Sequence, residues 1–208
     1  MTHRVTLLDY GVGNTASVTR AFRRLGAEVE LTSDPSRVDA SRRIVLPGVG
    51  AFAPARERLA AAGLDEALRR AVERGSRLLG LCLGFQLLFE ESEEHGTTPG
   101  LGLLRGRIAP FGAGVRSPHV GWNALDVAKP EGLFSGIPSG TYVYFVHSFR
   151  PEGGDPGDVA ASADYGGPFA AAVQRGNVWG CQFHPEKSSD AGRTLLANFL
   201  GRDAEQAT

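Results

Sequence analysis

A chain of 208 residues suffices for one fully cored α/β domain and is too short for two ordinary ones, so residues 1–201 are expected to form a single domain. Lys and Arg number 22 against 23 Asp and Glu, so no overall field draws the chain to nucleic acid or to an anionic membrane surface, and any partner is recognised locally. Cys82 and Cys181 are the only cysteines, the start MTHRVTLLDYGVG shows no signal-peptide pattern, and no stretch approaches the roughly twenty apolar residues that span a bilayer; a soluble protein of the reducing cytoplasm is expected.

Residues 5–10 (VTLLDY) read as a first strand, and Asn14 caps a helix whose Val18, Ala21, Phe22 and Leu25 share one face. Residues 28–31 alternate like a second strand, and 43–46 (RIVL) form an apolar run closed by Pro47-Gly48, as a buried third strand would. Helical periodicity runs from Ala51 to about Arg74 with a break near Gly63, and 77–81 (RLLGL) read as a fourth strand followed by a helical run over 85–91. Strands alternating with helices imply crossovers, hence an open, mostly parallel sheet with helices on both faces. After Gly100 the pattern changes. Strand-like segments at 101–108, 141–146, 159–163, 169–174 and 178–183 follow one another with turns between, so this half is expected to be mixed or antiparallel. Residues 152–158 read as a surface loop, a last helix spans about 188–200, and the polar tail 202–208 is expected to fray.

Cys82 stands in Gly80-Leu81-Cys82-Leu83-Gly84, directly after an apolar strand. Small residues two before and two after a nucleophile are what a sharp strand-to-helix elbow requires, because larger side chains there would collide. The start of a helix also favours thiolate over thiol, and the amide of Leu83 is placed to donate to an oxyanion. A lone intracellular cysteine is more often a small buried hydrophobe; the glycine pair reverses that for Cys82 and leaves it standing for Cys181. His184-Pro185-Glu186 closes the last strand-like run. Pro185 favours an extended His184, and residues two apart in extended chain face the same way, so the Glu186 carboxylate can orient and support the imidazole. His3, His95, His119 and His147 lack a carboxylate two residues away and are assigned no catalytic part. The glycine-rich loop at Gly48, Val49 and Gly50 exposes backbone amides at a third strand end and is the expected second half of an oxyanion hole, although an ordinary tight turn would read the same way. A rival lies in residues 11–16 (GVGNTA), which fit a dinucleotide-binding turn with Glu30 near the position of a ribose-binding acid; this would make the chain a nicotinamide-dependent oxidoreductase, but leaves the cysteine elbow and HPEK unexplained. A binding module that keeps the fold without catalysis is a second rival.

With the cysteine elbow, the glycine loop and HPE in this order, the sequence resembles the class I, or triad, glutamine amidotransferases. Within them it looks most like the glutaminase subunits of imidazole glycerol phosphate synthases, through DYGVGN at 9–14, residues 46–52 and 80–94, HVGWN at 119–123, YFVHS at 144–148 and HPEKS at 184–188. GxCxG and HPE are common to the whole class; DYGVGN, HVGWN and the Lys-Ser after HPE point to the subfamily. The glutaminase of pyridoxal phosphate synthase is the alternative within the class, but HVGWN is not expected there. The resemblance implies a Cys82-His184-Glu186 triad that hydrolyses glutamine without metal or organic cofactor. It implies that Gly50 and Gln86 contact glutamine, that Glu94 answers its α-ammonium group, and that the backbone at Ser148 and Phe149 holds its α-carboxylate. It further implies that Asn14, Trp122, Asn123, Tyr144 and Lys187 face a separate (β/α)₈-barrel cyclase subunit, which receives the ammonia.

Overall fold

The computed structural model of the chain describes residues 3–201; the tail 202–208, expected to fray, lies outside the described residues. The first half alternates as its periodicities require. Strand β1 (Arg4–Leu8) leads to α1 (Thr15–Arg24), β2 (Glu28–Thr32) to α2 (Pro35–Asp39), and β3 (Arg43–Leu46) to α3 (Phe52–Ala61) and α4 (Leu64–Glu73), after which come β4 (Arg77–Leu81) and the single turn α5 (Leu83–Gln86). The break between α3 and α4 falls at Gly63, whose φ of +65° suits a residue without a side chain. The side-chain oxygen of Asn14 caps α1 by accepting from Ser17 N–H at 3.3 Å.

The second half is built of short strands: β5 (Glu91–Ser92), β6 (Thr98–Pro99), β7 (Arg107–Pro110), β8 (His119–Ala124), β9 (Asp126–Val127), β10 (Tyr142–His147), β11 (Phe149–Glu152), β12 (Val159–Asp164), β13 (Pro168–Arg175) and β14 (Val178–Cys181), closed by helix α6 (Ser189–Leu200). Eight strands form the main sheet in the order β2-β1-β3-β4-β14-β13-β12-β9. Its first five strands run parallel and the rest antiparallel. β14 returns beside β4, which sets the end of the HPE-bearing strand next to the end of the cysteine-bearing one. Alternation along the central strands feeds two cores: Val45 and Leu79 pack with Phe22 of α1 and Leu195 and Phe199 of α6, while Ile44, Leu46 and Leu78 pack with Leu59 of α3 and Leu68 of α4.

Two expectations fail in the middle of the chain. Residues 101–106 are not a strand: Gly102 and Gly106 hold φ of +65° and +101°, and the amides of Leu101, Gly102, Leu103 and Leu104 return to the carbonyls of residues 87–89. Leu101 and Leu104 are buried and Leu103 is partly buried, all packed in the same core as Leu87, Leu88 and Phe89. The helical run expected over 85–91 stops at Gln86, and the carbonyls that follow are taken by those loop amides instead. β8, which pairs antiparallel with β10 as a two-stranded ribbon, was not expected as a strand, since His119-Val120-Gly121-Trp122-Asn123 lacks the apolar alternation that marks a core strand. No helix among the described residues is long and apolar enough to cross a membrane.

Candidate active site

Cys82 occupies φ +52°, ψ −110°, a conformation that a side-chain-bearing residue holds only when its surroundings impose it. Two bonds fix it: its N–H donates to Cys181 O at 2.9 Å, and its carbonyl accepts from Gln86 N–H at 3.1 Å. The flanking glycines supply the room. A Cβ on Gly80 would stand 2.7 Å from Phe85 Cα, and one on Gly84 would run into the Leu46 carbonyl. The helix beyond is a single turn, so its macrodipole is weaker than the longer helix expected from sequence would have provided.

His184 meets Glu186 as expected, by a different local route. His184 is extended (φ −98°, ψ 96°), but Pro185–Lys187 form a 3₁₀ turn, and it is this turn that brings Glu186 Oε1 to 2.8 Å from His184 Nδ1. Both side chains are almost wholly buried. The main chain of His184 is pinned on each side, by its own N–H to Tyr144 O at 2.9 Å and by Ser188 Oγ, which donates to His184 O at 2.7 Å and accepts from Tyr144 N–H at 3.0 Å. A carboxylate only accepts, so Nδ1 carries a proton and Nε2 is the free end of the ring. Nε2 is buried without a hydrogen-bond partner of good geometry, beside the Cys82 thiol. Burial opposes a charged imidazole here, but Cys82 and then Glu186 outweigh it and push the pKa of His184 up to about 10.

A cavity of about 330 Å³ opens over Cys82 and His184, walled by Val49, Gly50, Leu83, Gln86, Glu94, Ser148 and Phe149. All the side chains and backbone expected to touch substrate therefore line one space, with Gly48 just behind it. A Cβ on Gly48 would come within 2.7 Å of Gly84 N, so this residue is wedged against the elbow, whereas Gly50 at φ +95° meets nothing within 4 Å. The loop is tied at both ends, by Tyr10 Oη donating to Pro47 O at 2.6 Å and by Phe52 N–H donating to Glu94 Oε2 at 2.6 Å. Gln86 Nε2 donates to Gln182 Oε1 at 2.9 Å, and Gln182 Nε2 lies 3.8 Å from Cys82 Sγ. No role follows from the sequence for Tyr10, Gln182 or Ser188, although Tyr10 and Ser188 lie in the DYGVGN and HPEKS motifs; Gln182 stands two residues before His184, the one signal that could have marked it. Cys181 is fully buried, with its thiol pKa raised by burial, as a core residue should be.

Trp122 and Tyr144 face each other across the β8–β10 ribbon with ring centroids 6.1 Å apart, and Lys187 Nζ lies 5.7 Å from the Tyr144 ring. Val120, Trp122, Tyr142 and Val146 extend this into an exposed apolar strip beside the cavity. Asn123 falls on the other side of the ribbon, as strand alternation requires, and its Nδ2 donates to Asp164 O at 2.8 Å; the geometry separates it from Trp122. Asn14 is engaged in capping α1 and borders a small void behind His184 and Glu186. Glu30, the acid of the dinucleotide reading, is paired with Arg37 at 2.8 Å.

A strand-to-helix cysteine elbow with a buried His-Glu pair at the neighbouring strand end is the arrangement of a triad amidotransferase, and the model of the glutamine amidotransferase class-I family matches residues 6–202. Solved structures with the same architecture include the structure of PurLQS from Thermotoga maritima (TM-score 0.76, 23% identity, covering 97% of this chain and 99% of that one) and a glutamine amidotransferase (TM-score 0.75, 24% identity, covering 95% and 98%); at these identities they speak for the fold alone. Curated relatives are closer. The imidazole glycerol phosphate synthase subunit HisH of Moorella thermoacetica is 49% identical over 195 residues, covering 94% of this chain and 93% of the relative, and that of Rhodopirellula baltica is 46% identical over 205 residues, covering 98% and 100%. The chain belongs to the class-I glutamine amidotransferases and, within them, to the HisH subunits of imidazole glycerol phosphate synthase. That membership sets aside the oxidoreductase reading of the GVGNTA turn.

Proposed function

We propose that this chain is the ammonia-supplying glutaminase of imidazole glycerol phosphate synthase in histidine biosynthesis, with Cys82, His184 and Glu186 as its catalytic triad. The observation that carries the reading is the 2.8 Å bond from His184 Nδ1 to Glu186, which leaves Nε2 free beside a thiol held at an elbow. The Cys82 thiolate attacks the side-chain amide carbon of glutamine, and the carbonyl oxygen becomes an oxyanion met by backbone amides at Leu83 and in the Gly48–Gly50 loop. His184 Nε2–H gives its proton to the departing nitrogen as the C–N bond breaks, leaving ammonia and a glutamyl thioester. The same imidazole then takes a proton from water, whose oxygen displaces the Cys82 sulfur to release glutamate. Glu186 holds the ring and supports its positive charge in each step. Gly50 and Gln86 contact the substrate, Glu94 answers its α-ammonium group, and the backbone of Ser148 and Phe149 takes its α-carboxylate.

The exposed Trp122 and Lys187 and the half-buried Tyr144, together with Asn14, form the docking side for a (β/α)₈-barrel cyclase subunit, into which ammonia passes; Asn123 supports the ribbon from behind. Residues 1–201 act as one domain, in the cytoplasm. The experiment is ammonia release from glutamine by the complex carrying Cys82→Ala or Cys181→Ala. Cys82→Ala is expected to abolish release and Cys181→Ala to preserve it, at a packing cost of about 1 kcal/mol. Near-native activity of Cys82→Ala would overturn the assignment.

A further inference from the structure

Beyond the triad, a pair of buried histidines borders the same cavity. His119 and His147 are directly opposite each other on β8 and β10, and both are buried. His147 Nδ1 lies 2.8 Å from Phe149 O, and His147 Nε2 lies 3.0 Å from His119 Nδ1. A carbonyl can only accept, so the proton of His147 sits on Nδ1. Its Nε2 lone pair then accepts, and His119 donates from Nδ1. The rings are locked in addition by packing: His119 is sandwiched between Tyr165 and Phe145, with centroids at 4.0 and 4.8 Å and interplanar angles of 17° and 21°. Burial lowers the pKa of both imidazoles, that of His147 to about 4, so both are neutral at neutral pH.

His147 borders the catalytic cavity, yet both of its ring nitrogens are engaged by the protein, which rules it out as a proton carrier there. What it holds is the corner between β10 and β11. Phe149 O receives two bonds, from His147 Nδ1–H and from Gln86 Nε2–H at 3.1 Å, and so the backbone at Ser148 and Phe149 is fixed where it walls the cavity. We propose that His147, oriented by His119, is a positioning residue for the amino-acid end of the substrate: it sets the Ser148–Phe149 backbone that receives the α-carboxylate. The inference rests on the glutamine reading given above. It separates the labour within one cavity, His184 acting on the amide end and His147 on the shape of the opposite end.

The test is steady-state ammonia release against glutamine concentration by the complex, for His147→Leu, His147→Asn, His119→Leu and His119→Asn. Asparagine places an N–H where Nδ1–H stands, so His147→Asn retains the bond to Phe149 and His119→Asn the bond to His147. His147→Leu is expected to raise KM about tenfold with kcat within about twofold, and His147→Asn to return KM to within about threefold of wild type. The His119 pair should show the same pattern with a smaller rise, and carries the test should His147→Leu fail to fold. A fall in kcat at unchanged KM, or asparagine variants no better than leucine variants, would overturn the inference. A wild-type complex that released no ammonia from glutamine would instead remove the reading beneath it.

Discussion

The molecule contains two buried histidine centres a few residues apart in space, and it treats them oppositely. At His184 the partners are a carboxylate and a thiol, both of which favour a charged ring, and they push the pKa up to about 10 against the cost of burial. At His147 the partners are a carbonyl and another imidazole, burial dominates, and the pKa falls to about 4. Similar burial therefore yields one imidazole ready to carry a proton and one that cannot, and the difference lies wholly in what each Nδ1 and Nε2 touches. Ser188 joins the two centres, since its hydroxyl bonds both the carbonyl of His184 and the amide of Tyr144 on β10, the strand that ends in His147.

The contrast is broken most severely at Glu186. Glu186→Gln replaces a charge with a neutral amide, so the imidazolium loses its support when it forms, and the ring loses the acceptor that fixes its tautomer. The expected result is a fall in kcat of about a hundredfold or more with KM for glutamine changed by no more than about threefold, measured as ammonia release by the complex. A raised KM at unchanged kcat would assign Glu186 to binding.

The pH dependence of stability sharpens the contrast with a smaller effect. A histidine whose folded pKa lies below its unfolded value binds more protons when unfolded, so His147 makes the fold lose stability as pH falls from about 6.5 toward 4. His184 has the opposite sign: its raised pKa contributes stability that is fully present below about 6.5 and is lost as pH rises toward 10. Between pH 7 and 5 the His147 contribution amounts to about 2 kcal/mol. Urea unfolding of the isolated chain at both pH values should therefore show His147→Leu losing less stability than wild type over this interval, whatever its absolute stability. Equal losses would mean that His147 is not the neutral, buried group described.

Much of this was legible in the sequence. The boundaries of β3 and β4 follow directly from RIVL and RLLGL, because both strands are buried on two faces and read as apolar runs. The elbow at Cys82 is legible because its two glycines fall within five residues, although the atoms that require them, Phe85 beyond Gly80 and the Leu46 carbonyl against Gly84, lie outside that stretch. The His184–Glu186 pair was found for a partly mistaken reason, since a 3₁₀ turn rather than continued extended chain brings the carboxylate round. What could not be read depends on contacts across the chain. The loop 101–106 has strand-like composition because its leucines are buried, but its amides serve as caps for residues 87–89. Asn123 adjoins Trp122 in a motif, yet faces the other way once HVGWN is a strand. His147 was passed over because its partner, His119, lies 28 residues away and neither has an acid nearby in sequence.

The central claim is that Cys82 is the atom to which glutamine becomes attached. A glutamine analogue carrying a diazoketone in place of its side-chain amide offers an electrophilic carbon to a thiolate and retains the α-ammonium and α-carboxylate groups of glutamine. Peptide mass mapping of the complex after inactivation by this analogue tests the claim directly. The account predicts one label per chain, on Cys82, appearing in step with loss of ammonia release and suppressed by excess glutamine. Complete inactivation with Cys82 unmodified and the label elsewhere, on Cys181 for instance, would contradict it.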